Sequence, residues 1–315
     1  MNAPIDRRAL VTRHDVVLDA WDPLTPLSVG NGEFAFTADL TGLQTFPEVY
    51  QTGMPLGTLS QWGWHSLPNP EGYRLEQALE PYEVGGREVP YATGLGQAGP
   101  GAAPWEGYSP AANWLRANPH RLHLGRIGLR IDKADGSPAA IADLARPHQR
   151  LDLWAGLLES RFAVEGQPVE GRTVCHPERD LLAVRVESPL LSAGQAAVRI
   201  AFPYGSDAWR SAAEWGAPER HTTSARIDGP RAGLARVLDE TRYFVRVACS
   251  EAGRIEQVAA HTFEVTRRDG GPLEVLFAFS PDERAGALPG FDAVRRASAR
   301  HWAGFWESGG AIDLS

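Results

Sequence analysis

From Leu122 onward, apolar side chains recur at every second position in short runs separated by turn residues. In LLAVRVES, Leu182, Val184 and Val186 share one face while Arg185 and Glu187 share the other, the spacing of a strand with one buried side. AAVRIAFPY, RYFVRVACS and PLEVLFAFS repeat the pattern. RFAVEGQPVEGRTV reads as a hairpin turning at Glu165-Gly166-Gln167. In RLHLGRIGLRI, Leu122 and Leu124 hold one phase and Ile127, Leu129 and Ile131 the next, so a bulge is expected at Gly125. A period of two cannot serve a helix, and little helical periodicity separates these runs. The chain is therefore expected to be all-β, an antiparallel sandwich rather than a set of βαβ units.

Two stretches break the pattern. Residues 68–119 are rich in Pro and Gly, with GLGQAGPGAAPWEGYSP at their centre, and predict a long excursion with little regular structure, packed through Tyr91, Trp105, Tyr108 and Trp114. In FDAVRRASARHWAGFWESGG, Phe291, Val294, Ser298, Trp302 and Phe305 fall on one helical stripe, with Asp292 in the first turn and Gly309-Gly310 as a stop. This predicts a C-terminal helix, whose Phe291, Trp302 and Phe305 would be exposed if nothing covered them.

The charge balance narrows the partners. With 39 acidic against 31 basic side chains, a formal charge of −8 and no long basic run, neither nucleic acid nor an anionic membrane surface is an expected partner. No membrane-spanning run and no signal peptide are read, which makes a cytoplasmic location the expectation. Cys175 and Cys249 both adjoin strand-like runs, and no disulfide is required.

In GNGEF, Gly30 and Gly32 flank Asn31, but neither the Gly-Lys-Ser/Thr of a P-loop nor a third glycine opening a helix follows. EFAFTADL alternates Phe34, Phe36 and Ala38 like a strand, so the run is a turn between strands with the awkward backbone angle at Asn31. Two readings stay open: a structural hairpin, or a ligand rim formed by Asn31 and Glu33. SQWGWHSLPNP places Trp62, Trp64 and His65 together, and indoles suit the apolar face of a sugar while His bonds its hydroxyls. The alternative is that both indoles pack under the Pro-rich loop or between domains. His120 and His123 stand three apart in a strand-like run, which points them to opposite faces, so no metal site and no cofactor are expected.

No Gly-x-Ser-x-Gly elbow occurs. Glycoside cleavage needs two opposed carboxylates. Among Glu33, Glu48, Glu106, Asp207, Glu214, Asp239 and Glu240 no pair can be chosen, so the catalytic residues stay unassigned. Acid/base pairs for a sugar epimerase could be nominated at His176 with Glu178 or His221 with Glu219, without support from spacing.

The runs PLSVGNGEFAFTADLTGLQTFPE, PLGTLSQWGWHSLPNP, NPHRLHLGRIGL, LDLWAGLLESRF, FPYGSDAWRSAAEWGAPERHTT and HWAGFWESGGAIDLS resemble the N-terminal region of bacterial six-hairpin glycosidase-like proteins, related to glycoside hydrolase families 65 and 95. The resemblance spans nearly the whole chain. It implies a large antiparallel β-supersandwich of the galactose mutarotase type over residues 1–285 and a helical linker over 286–315. Such proteins continue into an (α/α)6 barrel that carries the catalytic acids, and no helical array for it exists in this sequence. The implied partners are a carbohydrate ligand and that barrel. On this resemblance the chain is a non-catalytic, carbohydrate-facing domain of a glycoside hydrolase or phosphorylase, inactive alone, with Asn31, Glu33, Trp62, Trp64 and His65 near the sugar. A stand-alone carbohydrate-binding module and a mutarotase-type epimerase are the alternatives.

Overall fold

The alternating runs pair as their period demands. In the computed structural model, which describes residues 5–92, 109–208 and 211–312, Leu157–Val164 and Gln167–Cys175 form a hairpin with Val164 opposite Gln167. Glu165 and Gly166 both take left-handed angles, φ 48° and 80°, the two-residue turn that matches strand twist.

This hairpin sits within a nine-stranded antiparallel sheet. Its first five strands in spatial order are Val16–Leu18, Ala145–Asp152, Leu157–Val164, Gln167–Cys175 and Leu181–Glu187. Leu273–Ser280, Thr241–Cys249, Arg231–Leu238 and His221–Asp228 complete it. Opposite it lie a four-stranded sheet (Gly253–Ala259, Thr262–Arg267, Ala196–Ala201, Arg126–Ile131) and a three-stranded sheet (Leu27–Gly30, Phe34–Ala38, Thr58–Ser60). The architecture is an all-β sandwich with a C-terminal helix.

One core fills the space between the sheets. Leu182, Val184, Val275 and Phe277 from the large sheet meet Phe36, Ile127, Val198 and Phe263 from the smaller ones, and Phe34 stacks on Phe279 with ring centroids 5.6 Å apart. The other face of the same central strands is also covered. Leu181, Ala183 and Leu276 pack with Phe291 and Val294 of the helix Phe291–Phe305 in a second cluster. Two-sided burial explains why Leu181–Glu187 reads LLAV before any polar residue appears. Phe291 is 1% exposed, so the expectation of an exposed helical stripe is corrected for its first half: the large sheet already covers it.

Polar groups brace the interior. The loop 39–46 is buried, with Asp39 accepting from the backbone N–H and hydroxyl of Thr41 at 2.8 and 2.6 Å and from Phe46 N at 2.7 Å. Gln44 then ties this loop to the four-stranded sheet by exchanging bonds with Ile127 at 2.7 and 3.1 Å, while Gln149 of the large sheet donates to Asp39 O at 2.7 Å. Arg236 is fully buried, and its guanidinium bonds the carbonyls of Thr222 and Pro203 and Nδ1 of His221 at 2.8, 3.0 and 2.7 Å. His221 stacks on His261 at 3.9 Å.

Two sequence expectations need correction. The run RLHLGRIGLRI is not one bulged strand. His120–Arg121 pairs with Trp64–His65, the chain turns through Gly125, and Arg126–Ile131 joins the four-stranded sheet. The phase slip therefore marks a change of sheet. The stretch 68–119 holds regular structure in its described part: a hairpin of Leu79–Val84 with Arg87–Ala92, and the helix Pro110–Ala117, capped by the Ser109 hydroxyl. Proline at the first helical position and a serine cap are helix-start signals, and the prolines there masked them. Trp114 does pack, donating to Pro68 O at 3.2 Å. Trp105 and Tyr108 lie outside the described residues.

Replacing Phe277, which is 0% exposed, by Ala is expected to cost about 3–5 kcal/mol in urea denaturation with an unchanged denaturant slope. Acid should destabilise the fold in a defined window. Burial pushes His221 and His123 down to about 3 from the ordinary 6.5, so between these values the unfolded chain binds more protons and stability falls as pH falls. Asp39, pushed up to about 6 by burial, opposes this between 6 and 3.8, one group against two. The urea midpoint should therefore drop between pH 6.5 and 4, and an unchanged midpoint would contradict the buried, neutral imidazoles.

Candidate functional site

Two concavities share Leu59 and Arg121 as a common wall. The first is an apolar groove of 610 Å³ between the turn holding Gly32 and Glu33 and the helical residues Trp302 and Trp306, floored by Leu151 and Leu153. Trp306 is fixed there by donating from Nε1 to Leu153 O at 2.7 Å. Trp302 lies so close to Gly156 that a Cβ at that residue would stand 2.2 Å from the indole. The second is a polar groove of 850 Å³, lined by His120, His123, Arg126, Asp207, Glu214 and Trp215 among others.

The strand break at Gly125 creates the polar groove. Because the chain leaves one sheet at Arg121 and enters another at Arg126, the segment between them runs beside the loop 212–215, with His123 N bonded to Ala212 O at 3.3 Å. His120 and His123, expected on opposite faces, consequently line the same groove. His123 accepts from Gly125 N at 3.2 Å and sets its edge against Trp215 at 5.7 Å. Among the described residues no group of three or more His, Cys, Asp or Glu could hold a metal ion.

The five residues singled out in the sequence have different fates. Asn31 is spent on structure: Oδ1 accepts from Glu33 N and Phe34 N at 3.0 and 2.8 Å, and Nδ2 donates to His176 O and Arg179 O at 3.1 and 3.2 Å. The left-handed angle expected at Asn31 falls on Gly32, φ 92°, because an Asx turn lets asparagine keep an ordinary backbone. Glu33 is exposed and lines the apolar groove. Trp62 faces inward, packing on Tyr243 at 6.1 Å and donating from Nε1 to Asp180 at 2.6 Å, beside the Ser60 hydroxyl on the same carboxylate oxygen. Trp64 is 42% exposed, with the Arg121 guanidinium 4.0 Å over its ring. So Glu33 and Trp64 flank the shared wall, whereas Asn31 and Trp62 hold it in place.

His65 is buried and belongs to a relay. Its Nε2 faces Asp239 Oδ2 at 3.0 Å and its Nδ1 faces Nε2 of His120 at 2.9 Å. His120 Nδ1 faces Ala117 O at 3.1 Å. Tyr204 donates to the same Asp239 oxygen and accepts from Arg220 at 2.8 Å. Three nitrogen gaps need three protons, and two neutral imidazoles bring two. Carbonyl and carboxylate oxygens only accept, so in the neutral state one of the three contacts lacks a proton. Burial, the largest effect, pushes both imidazoles below their ordinary value, against the pull of Asp239 on His65 and of Asp207 on His120.

Neither epimerase pair converges. His176 Nδ1 accepts from Glu178 N at 3.1 Å, and His221 is buried against Arg236 while Glu219 is exposed. Arg126 and Trp215 went unread in the sequence, although the slip at Gly125 was the signal that a wall forms there.

One added proton, shared by the two imidazoles, would complete the chain of three contacts. The ring ¹⁵N shifts of both residues are therefore expected to titrate together, at one midpoint below the ordinary 6.5. Two independent midpoints would contradict a shared slot.

No protein-family model and no curated protein matches the sequence. Among solved structures, a protein described as a kojibiose phosphorylase from the human microbiome superposes over 94% of this chain with a TM-score of 0.53 at 9% identity. A family 92 α-mannosidase from Bacteroides thetaiotaomicron superposes over 58% of this chain and 28% of its own, with a TM-score of 0.27 at 8% identity. The first bears on the architecture and the second does not. This chain spans 38% of the phosphorylase-like protein's length, and what the two share is the β-sandwich fold.

Proposed function

We propose that this chain is the non-catalytic, carbohydrate-facing β-sandwich of a glycoside hydrolase or glycoside phosphorylase. Residues 1–285 form the sandwich, and 286–315, with the helix Phe291–Phe305, lead to a helical (α/α)6 domain that supplies the cleavage chemistry. The observation that carries this reading is the superposition of nearly the whole chain on part of a larger, phosphorylase-like protein. The chemistry of the grooves agrees with it. Trp302 and Trp306 in the apolar groove and Trp215 in the polar one offer aromatic surfaces, exposed Trp64 lies beside Arg121 of their common wall, and groups such as Gln51, Ser206 and Asp207 in the polar groove can bond hydroxyls. The reading as a stand-alone binding module draws on one feature, that the polar groove is lined by residues of this chain.

The chain alone is expected to bind oligosaccharides without cleaving or phosphorolysing them, measured by calorimetry beside an assay for released sugar or sugar phosphate. Turnover by the isolated chain that disappears on replacing one of its own carboxylates would overturn the proposal. The two neighbouring tryptophans should separate. Trp64→Ala is expected to weaken binding by about 1 kcal/mol with little change in melting temperature, and Trp62→Ala to lower the melting temperature because it leaves Asp180 short of a donor.

A further inference from the structure

Arg126 enters the polar groove from the first position of its strand, half-buried, with its guanidinium 3.8 Å over the ring of Trp215. Among the described residues its guanidinium makes no hydrogen bond and no ion pair. Three other arginines of the sandwich interior contrast with it: Arg130 and Arg199 converge on Glu264, and Arg236 is saturated by carbonyls and imidazole. Burial lowers the basicity of Arg126 to about 10, and Glu48 offsets this only through its field. A stacked guanidinium keeps its N–H edge free, and a half-buried cation without a counter-ion is costly until an anion meets it. Trp215 Nε1–H likewise donates to nothing among the described residues.

The acids of the groove do not fill this role. Glu214 Oε1 accepts from Gly216 N at 2.6 Å, and Asp207 acts on His120. Arg121 also lines the groove and adds positive charge, with Nη1 donating to Ser60 O at 3.2 Å. A volume of 850 Å³ suits a short saccharide rather than a macromolecule.

Resting on the carbohydrate reading above, we infer that the polar groove takes an acidic saccharide, a uronic acid or a sugar phosphate, with its anion on the Arg126 guanidinium and the Trp215 Nε1–H. The stack on Trp215 holds the guanidinium plane so that its edge meets a carboxylate or phosphate with two parallel donors.

Calorimetry with trigalacturonate, glucose 6-phosphate, maltotriose and inorganic phosphate tests this. Trigalacturonate or glucose 6-phosphate is expected to bind at least tenfold tighter than maltotriose, and which of them does so identifies the anion. Arg126→Gln should abolish the preference, Arg126→Lys should retain part of it, and Trp215→Phe should weaken anion binding while keeping the ring. A urea melt of each variant confirms folding, and Arg126→Lys keeps the test valid should Arg126→Gln unfold. The inference falls if Arg126→Gln leaves the preference intact. It falls, with the carbohydrate reading standing, if maltotriose binds as tightly as both acidic probes. Inorganic phosphate binding as tightly as glucose 6-phosphate would mean an anion site without a saccharide and also overturn it. Binding of no saccharide at all would remove the inference together with the carbohydrate reading.

Discussion

Burial of the central strands on both faces is the constraint on which this molecule rests. Leu181–Val184 and Val275–Phe277 have no face left for water: one side meets the inner core and the other meets Phe291 and Val294. A nine-stranded sheet with one face wet would need alternating polar residues along its middle strands, and over Leu181–Val184 and Val275–Phe277 there are none; alternation resumes only at Arg185, Glu187 and Glu274. The C-terminal helix is therefore part of the sandwich's own folding unit over its first two turns. Its far end, from Trp302 on, is free to form one wall of the apolar groove.

Function-bearing geometry arises where this regular scheme is interrupted. The chain passes from one sheet to another between Arg121 and Arg126, and this brings His120, His123 and Arg126, whose guanidinium has no ion pair among the described residues, into one groove with Trp215. Beneath the wall the polar groups form two hydrogen-bonded chains, one with buried His65 between Asp239 and His120, the other with buried Arg236 on His221. Neutral imidazoles suit such places because they can both donate and accept without carrying a charge into the core.

Much of the scaffold was legible in the residues. The period of two in LLAVRVES, the turn at Glu165-Gly166 and the stripe from Phe291 to Ser298 each map directly onto paired strands, a two-residue hairpin and a buried helical face. The site was only partly legible, for a physical reason. A phase slip at a glycine looks the same whether the strand bulges or departs for another sheet, because the sequence records the break and not where the chain goes next. The same blindness applied to Trp62 and Trp64, which share a glycine neighbour yet face Asp180 and solvent respectively. Asn31 shows the converse: a residue in a conspicuous motif whose four hydrogen bonds all serve the backbone. Prolines hid the helix Pro110–Ala117 because the residue that breaks helices also begins them.

The contact between Trp302 and Gly156 carries a consequence of its own. With the indole resting where a Cβ would be, the spacing between the helix end and the sheet is set by the absence of a single methyl-sized substituent. Any chain of this architecture bearing a larger residue there must hold its helix farther out, and its groove must be correspondingly wider. One position in a hairpin loop thus acts, through the indole it seats, as a gauge for how bulky an occupant the neighbouring channel can admit.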